Sequence, residues 1–168
     1  MPMRLLTPDH FFSCVTEIEK DFLLERGIRG LLLDFDETLV ASAEEGVRLE
    51  IAAWVEGLKR DVALFIVSNN RSSSRVAKIA DPLGLPFLIR AAKPLRFGFR
   101  KALGKMGLKE SEVAVVGDQL FTDILGGRRL GALTILVQPL SPETVWYRKG
   151  MRKAEEFFTL IFGSAGSA

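Results

Sequence analysis

The sequence predicts a three-layer α/β fold, a five-stranded parallel sheet with helices on both faces. Three observations carry that expectation. Short apolar runs, rich in Val, Ile, Leu and Phe and nearly free of polar alternation, recur along the chain. Strands buried on both faces have this composition. Amphipathic helical stretches lie between the runs, so the order is one helix followed by repeated β–α units. No linker or low-complexity block interrupts the 168 residues, which suits a single domain, 1–168.

The elements follow in chain order. Thr7, Pro8 and Asp9 make a helix start, with Thr7 as N-cap and Pro8 in the first helical position. Phe11, Phe12, Val15, Ile18, Phe22 and Leu23 then recur at helical spacing. Strands are expected over 30–35, 62–67, 86–89, 113–116 and 133–137. Helices are expected over 50–58, 71–83, 94–106 and 120–130. The third of the five helices to this point stops near Pro82 and Gly84, and Gly107 and Gly131 close the next two. A sixth, less regular helix is expected over 143–162, followed by a frayed tail over 163–168.

Composition excludes several function classes. With 48% apolar and 26% charged residues, the chain is neither disordered nor a coiled coil. A net charge of +2 does not suggest a general nucleic-acid binder. The single Cys14 and single His10 exclude an intrachain disulfide framework and argue against a zinc site of Cys and His. A Ser-His-Asp triad would have to use His10, near the start of the chain. Cys14 lies in an apolar stretch and reads as a small core hydrophobe. Residues 1–10 lack the apolar core of a signal peptide, and no run reaches the ~18 apolar residues of a membrane span. The expected location is cytoplasmic and reducing.

The informative polar residues each follow one of the first four apolar runs. Leu31 to Leu33 lead into Asp34 and Asp36, and Phe65 to Val67 into Ser68, Asn69 and Asn70. Phe87 to Ile89 precede Arg90 and Lys93, and Val113 to Val116 lead into Gly117 and Asp118. In a parallel sheet the carboxyl ends of the strands form one rim, where ligands bind. Asp34 and Asp36, two apart on a strand, point to one face with Cα atoms about 6.5–7 Å apart. Such carboxylates repel unless a cation or proton lies between them. With His and Cys nearly absent, the fitting cation is a hard, oxygen-liganded one such as Mg²⁺, with Asp118 completing its protein ligands. Asp123 ligates directly, acts through water, or holds Lys93. Taken singly, Asp-x-Asp is a turn cap, Asp118 a helix N-cap and Lys93 a surface lysine. Their conjunction on separate strand ends is what points to a site.

These residues resemble the motifs of the haloacid dehalogenase-like (HAD) phosphatases. Asp34-Phe35-Asp36-Glu37-Thr38-Leu39 resembles the first motif, Asp-x-Asp-x-Thr-Leu. Ser68 matches the second motif, Lys93-Pro94 the third, and Gly117-Asp118 with Asp123 the fourth. Over almost the whole length the chain resembles the YqeG family, a IIIA-type branch. The resemblance is carried by Leu6-Thr7-Pro8-Asp9, the stretches 26–30 and 67–70, Ala91-Ala92-Lys93-Pro94 and the stretch 117–127. That family is similar to the phosphatidylglycerophosphate phosphatases of phosphatidylglycerol and cardiolipin synthesis. Glu37 departs from it, standing where Asn is usual, and its side chain is expected to point away from the metal. The segment 41–47 is also untypical and bears on substrate preference.

The resemblance implies a Rossmann-like HAD core and a Mg²⁺-dependent phosphomonoester hydrolase acting through an aspartyl-phosphate. Asp34 would be the nucleophile and Asp36 the general acid and base. Ser68 would hydrogen-bond a phosphoryl oxygen, and Lys93 would neutralise developing charge. Thr38, Asn69 and Asn70 would surround the phosphate. The metal ligands would be Asp34, Asp36 through its backbone carbonyl, Asp118 and Asp123. Gly117 either lets the backbone approach closely or is a simple turn glycine.

Thirty-two residues separate Asp36 from Ser68 and 25 separate Ser68 from Lys93, which leaves no room for a cap domain. An open site admits a large substrate, or a neighbouring copy in a homo-oligomer covers it. Residues 90–109 carry seven Lys/Arg and no Asp/Glu, and a second basic cluster is Arg128, Arg129, Arg148, Lys149, Arg152 and Lys153. Phe97, Phe99, Trp146, Tyr147, Phe157 and Phe158 are interspersed. Such segments attract anionic lipid surfaces, and equally read as a solvated face with core aromatics, or as a contact for polyphosphate or nucleic acid. The favoured substrate is phosphatidylglycerophosphate, with the enzyme at the membrane periphery and no nucleic-acid partner. The alternatives are a phosphatase of a small soluble metabolite and a non-catalytic binding protein on the same fold.

Overall fold

The computed structural model describes residues 5–141. Six strands form its sheet: β1 (His10–Phe12), β2 (Gly30–Leu33), β3 (Ala63–Val67), β4 (Phe87–Leu88), β5 (Val113–Gly117) and β6 (Leu133–Val137). Their order is β1-β6-β5-β2-β3-β4, and every pairing is parallel. The helices are α1 (Lys20–Leu24), α2 (Leu49–Leu58), α3 (Ser73–Leu83), α4 (Arg96–Met106) and α5 (Leu125–Leu130), the last entered through a π-helical turn at Leu120–Ile124.

The near-continuous apolar strands bury both faces. Leu31, Leu33, Leu64, Ile66, Ala114 and Val116 face one core, which α1, α2 and α3 close. Leu32, Phe65, Val67, Val113 and Val115 face the other, which α4 and α5 close. This period-2 division is the three-layer fold expected from the sequence. Between Asp36 and Ser68 the chain makes only α2 and β3, and between Ser68 and Lys93 only α3 and β4, so neither interval holds a cap domain.

The expected sheet of five strands is corrected to six. The helix expected from Thr7 onward is a strand, a 3₁₀ turn at Val15–Glu17 and the short α1. Local periodicity loses here to a distant partner. The Asp9 carboxylate accepts from the Thr134 backbone N–H at 2.8 Å and hydroxyl at 2.9 Å, and pairs with Arg128 at 2.7 Å. His10, Phe11 and Phe12 then register against Ile135, Leu136 and Val137, covering what would be the open edge of β6. Phe11 points to solvent and Phe12 packs on the core, the alternation of a strand. Cys14 is half-buried against the same core. The helix expected over 143–162, the tail, and the aromatic and basic residues beyond position 141 lie outside the described residues. Among the described residues no helix is long and apolar enough to cross a membrane.

Candidate active site

Strand order reverses beside β2. From β2 the chain runs outward through β3 and β4, then crosses to β5 and β6 on the other side. Ligands of open α/β sheets bind at the carboxyl ends flanking such a reversal, here those of β2 and β5. Asp34 directly follows β2, and its N–H donates to the Val116 carbonyl at 2.9 Å. Asp118 directly follows β5. The two carboxylates thus leave adjacent strands at the same rim.

Lys93 reaches this rim from the loop after β4. Its buried Nζ donates to Asp34 Oδ1 at 2.6 Å and to Asp123 Oδ1 at 2.7 Å. Asp123 Oδ2 accepts from the Gln119 N–H at 3.2 Å. Burial alone would lower the Lys93 pKa, but the carboxylates of Asp123 and Asp34 outweigh it and hold the ammonium charged. The lysine is held by its backbone. Asn69 Oδ1 accepts from Lys93 N–H at 2.8 Å, and Asn69 Nδ2 donates to the Lys93 carbonyl at 3.0 Å. Arg90 and Ala92 precede it with φ of +50° and +56°, a left-handed conformation that costs of order 1 kcal/mol or more at non-glycine residues. The peptide bond between Lys93 and Pro94 is cis.

Gly117 is a close-approach glycine. A Cβ at that position would overlap the Asp123 carboxylate. Glycine here lets the π-helical turn fold back until Asp123 meets Lys93.

Asp118 is the unsatisfied member. Both its carboxylate oxygens are buried and have no hydrogen-bond donor among the described residues. Carboxylate oxygens of Asp34, Asp118 and Asp123 lie within 4.8 Å of one another. Burial, then the charges of Asp34 and Asp123, push the Asp118 pKa up to about 9. Burial and Asp34 raise Asp123 to about 6, with Lys93 pulling the other way. Ionising Asp118 would set three carboxylates against one lysine in a dry place. A bound divalent cation offsets that charge, and the orphaned oxygens of Asp118 are the ligand atoms it would find. The donor set, all carboxylate, fits a hard cation.

Asp36 makes its side-chain contacts outside this cluster. Its Oδ2 accepts from Asn70 Nδ2 at 2.9 Å, and its Oδ1 lies 3.6 Å from an Arg75 guanidinium nitrogen. Its side chain is 35% exposed. Ser68 is buried, and its Oγ accepts from the Asn70 N–H at 3.0 Å, which leaves the hydroxyl hydrogen free to donate. Thr38 Oγ1 lies 3.5 Å from Asp34 Oδ2. The structure therefore brings Asp34, Thr38, Lys93, Asp118 and Asp123 together. It sets Asp36 with Asn70 and Arg75 beside them, and uses Asn69 to brace the lysine loop.

Arg75 is not evident from the sequence, whereas Glu37 turns away as expected. Arg75 comes from the first turn of α3 and also donates to the Ser42 and Glu44 carbonyls at 3.4 and 3.5 Å. Glu37, with φ of +63°, turns its side chain away from the cluster. It accepts from the N–H groups of Ser42 at 2.8 Å and Ser141 at 2.7 Å, and its carbonyl accepts from Leu140 N–H at 3.0 Å. Burial would raise its pKa, but the hydrogen bonds from Ser42 and Ser141 prevail and lower it.

A lysine-bridged carboxylate cluster at the switch point of an uncapped parallel sheet defines a phosphatase of the HAD type. Residues 90–139 match a family model described as HAD-hydrolase-like. The probable phosphatase YqeG of Bacillus subtilis is 36% identical over 92% of this chain and 90% of its own length. The chain belongs to this YqeG family of HAD-like phosphatases. A phosphatidylglycerophosphate phosphatase of Chlamydomonas reinhardtii is 28% identical over 97% of this chain, which spans 62% of that protein's length. The cobalt-bound deoxy-D-mannose-octulosonate 8-phosphate phosphatase of Haemophilus influenzae shares the fold, with a TM-score of 0.55 at 14% identity over 76% of this chain and 77% of that one.

Proposed function

We propose that this enzyme is a Mg²⁺-dependent phosphomonoesterase working through an aspartyl-phosphate on Asp34, and that its substrate is a lipid phosphate, phosphatidylglycerophosphate. The observation that carries the chemistry is the Lys93 ammonium bridging Asp34 and Asp123 beside the unsatisfied Asp118. A lone carboxylate is a weak nucleophile, and covalent catalysis divides one hard displacement into two.

In the first step Asp34 attacks phosphorus, the P–O bond to the alcohol breaks, and Asp36 gives its proton to the departing alkoxide. In the second, Asp36 takes a proton from water, whose oxygen attacks phosphorus. The P–O bond to Asp34 then breaks, releasing inorganic phosphate. Ser68 donates to a phosphoryl oxygen, and Lys93 balances the charge that develops there. Asn70 and Arg75 hold Asp36 in place between the steps. Mg²⁺, held by Asp34, Asp118 and the backbone carbonyl of Asp36, with Asp123 in support, would supply further charge neutralisation at the phosphoryl group.

The lipid assignment is supported by the phosphatidylglycerophosphate phosphatase named among the relatives and by the absence of a cap over the site. The test is a phosphatase panel with Mg²⁺ and with chelator. It compares phosphatidylglycerophosphate in detergent micelles with sugar phosphates and nucleotides. Mg²⁺-dependent release of phosphate fastest from the lipid is expected. Much faster turnover of a soluble ester overturns the lipid assignment and leaves the phosphatase chemistry standing. No turnover of any phosphomonoester would favour a binding protein.

A further inference from the structure

We infer that the wall of the rim built by the β4–α4 loop and the π-helical turn docks on an anionic membrane, so that the site opens onto the lipid surface. Three large apolar side chains stand exposed there: Leu95 at 58%, Phe97 at 72% and Phe121 at 64%. Leu95 and Phe97 follow Lys93 by two and four residues, and Phe121 lies between Asp118 and Asp123. The Lys93–Asp123 bond draws the two segments together, and a Cβ on Gly126 would lie 3.4 Å from the Cα of Pro94. The three residues therefore belong to one edge of the site.

The charge beside them decides the partner. Arg90, Arg96 and Arg100 are exposed and have no ion pair among the described residues. Arg96 opens α4, whose first turn has no acidic residue, so its charge opposes the helix dipole rather than stabilising the helix. Acidic residues lie on another wall, where Glu44 pairs with Arg48 and Glu45 with Lys78. Exposed aromatic and aliphatic tips ringed by uncompensated arginines fit the boundary of an anionic bilayer. The apolar tips enter the acyl region while the guanidinium groups stay with the headgroup phosphates.

This inference rests on the lipid-phosphate reading, and the experiment separates the two. Flotation uses vesicles of phosphatidylcholine with and without phosphatidylglycerol, which carries no phosphomonoester, so binding does not depend on turnover. The full chain should float with the phosphatidylglycerol vesicles and release as salt rises. Replacing Leu95, Phe97 and Phe121 together by Ser should weaken that binding at least about tenfold. Hydrolysis of p-nitrophenyl phosphate in solution should be retained. A separate variant, Arg96→Glu with Arg100→Glu, reverses charge while keeping Leu95, Phe97 and Phe121, and should also lose binding. Binding unchanged in both variants, or no binding by the parent chain, overturns the inference. So does a dimer that the Ser variant dissolves without any vesicle binding, which would make this face a contact between copies. Failure on vesicles with turnover of phosphatidylglycerophosphate in micelles leaves the substrate reading intact. Binding without that turnover does the reverse.

Discussion

Lys93 Nζ lies 2.6 Å from Asp34 Oδ1 across 59 residues of sequence, and both side chains are buried. The pair is the junction of the proposed chemistry with the fold's stability, because the same ammonium also neutralises Asp123.

Asp34→Asn should remove the nucleophile while keeping nearly the same shape. Turnover of p-nitrophenyl phosphate is expected to fall by at least about 10³-fold with an unchanged far-ultraviolet circular dichroism spectrum. Substantial residual activity would rule out an aspartyl-phosphate on this residue.

Lys93→Met leaves Asp34 and Asp123 buried without their counter-ion. Breaking a buried pair from one side costs about 3–5 kcal/mol, and urea denaturation of the metal-free protein should show a loss of that order. Adding Asp123→Asn removes one of the stranded charges and should recover part of the stability but none of the activity. Equal stability of the single and double variants would mean that Asp123 is not an electrostatic partner of the lysine.

Asp118, raised to about 9, gives the cation site a pH signature. The folded protein keeps a proton there that the unfolded chain releases near pH 4. Stability of the metal-free protein therefore falls as pH rises through that interval. Mg²⁺ displaces the proton, so the rise in Tm on adding saturating Mg²⁺ should be larger at pH 8.5 than at pH 6. The Asp118→Asn variant should show little rise at either pH. A Tm gain that is equal at both pH values in the parent would place the cation elsewhere.

Gly117→Ala puts a methyl group where the Asp123 carboxylate lies. The turn must move and the Lys93–Asp123 bond with it. Activity should drop strongly, whereas Gly57→Ala, at a helix position with open space around it, should keep activity and stabilise the fold by up to about 1 kcal/mol.

Glu37 is expected to be structural. Glu37→Ala orphans the N–H groups of Ser42 and Ser141 and should cost about 2–3 kcal/mol. Its carboxyl pKa is lowered in the fold, so its stabilisation is present above the ordinary carboxylate range and lost as pH falls through the folded value. The stability gap between the parent and Glu37→Gln should accordingly narrow in acid. A constant gap down to pH 3 would contradict the hydrogen-bonded carboxylate.

Much of the molecule was legible because its signals are local. Leu31 to Leu33, Phe65 to Val67 and Val113 to Val116 announce buried parallel strands by composition, and the residue after each run falls on the rim by geometry. Asp34, Ser68 and Asp118 were therefore placeable before any packing was known. Lys93 required more, since its loop is fixed by Asn69 and by two left-handed residues that no local rule predicts. The N-terminal strand is not legible in this way, because its aromatic spacing suits a helix.

By itself the sequence determined the layered fold, the absence of a cap domain and the set of carboxylates. Strand burial and chain length between motifs are written in neighbouring residues. Tertiary structure alone decided which partners those side chains take. Asp9 meets Thr134 across 125 residues, Glu37 meets Ser141 across 104, and Arg75 reaches Asp36 from a separate helix. Such contacts are chosen by which buried donors and acceptors would otherwise stay unpaired. Only the packed molecule defines that need, and the same packing left Leu95, Phe97 and Phe121 uncovered beside the site.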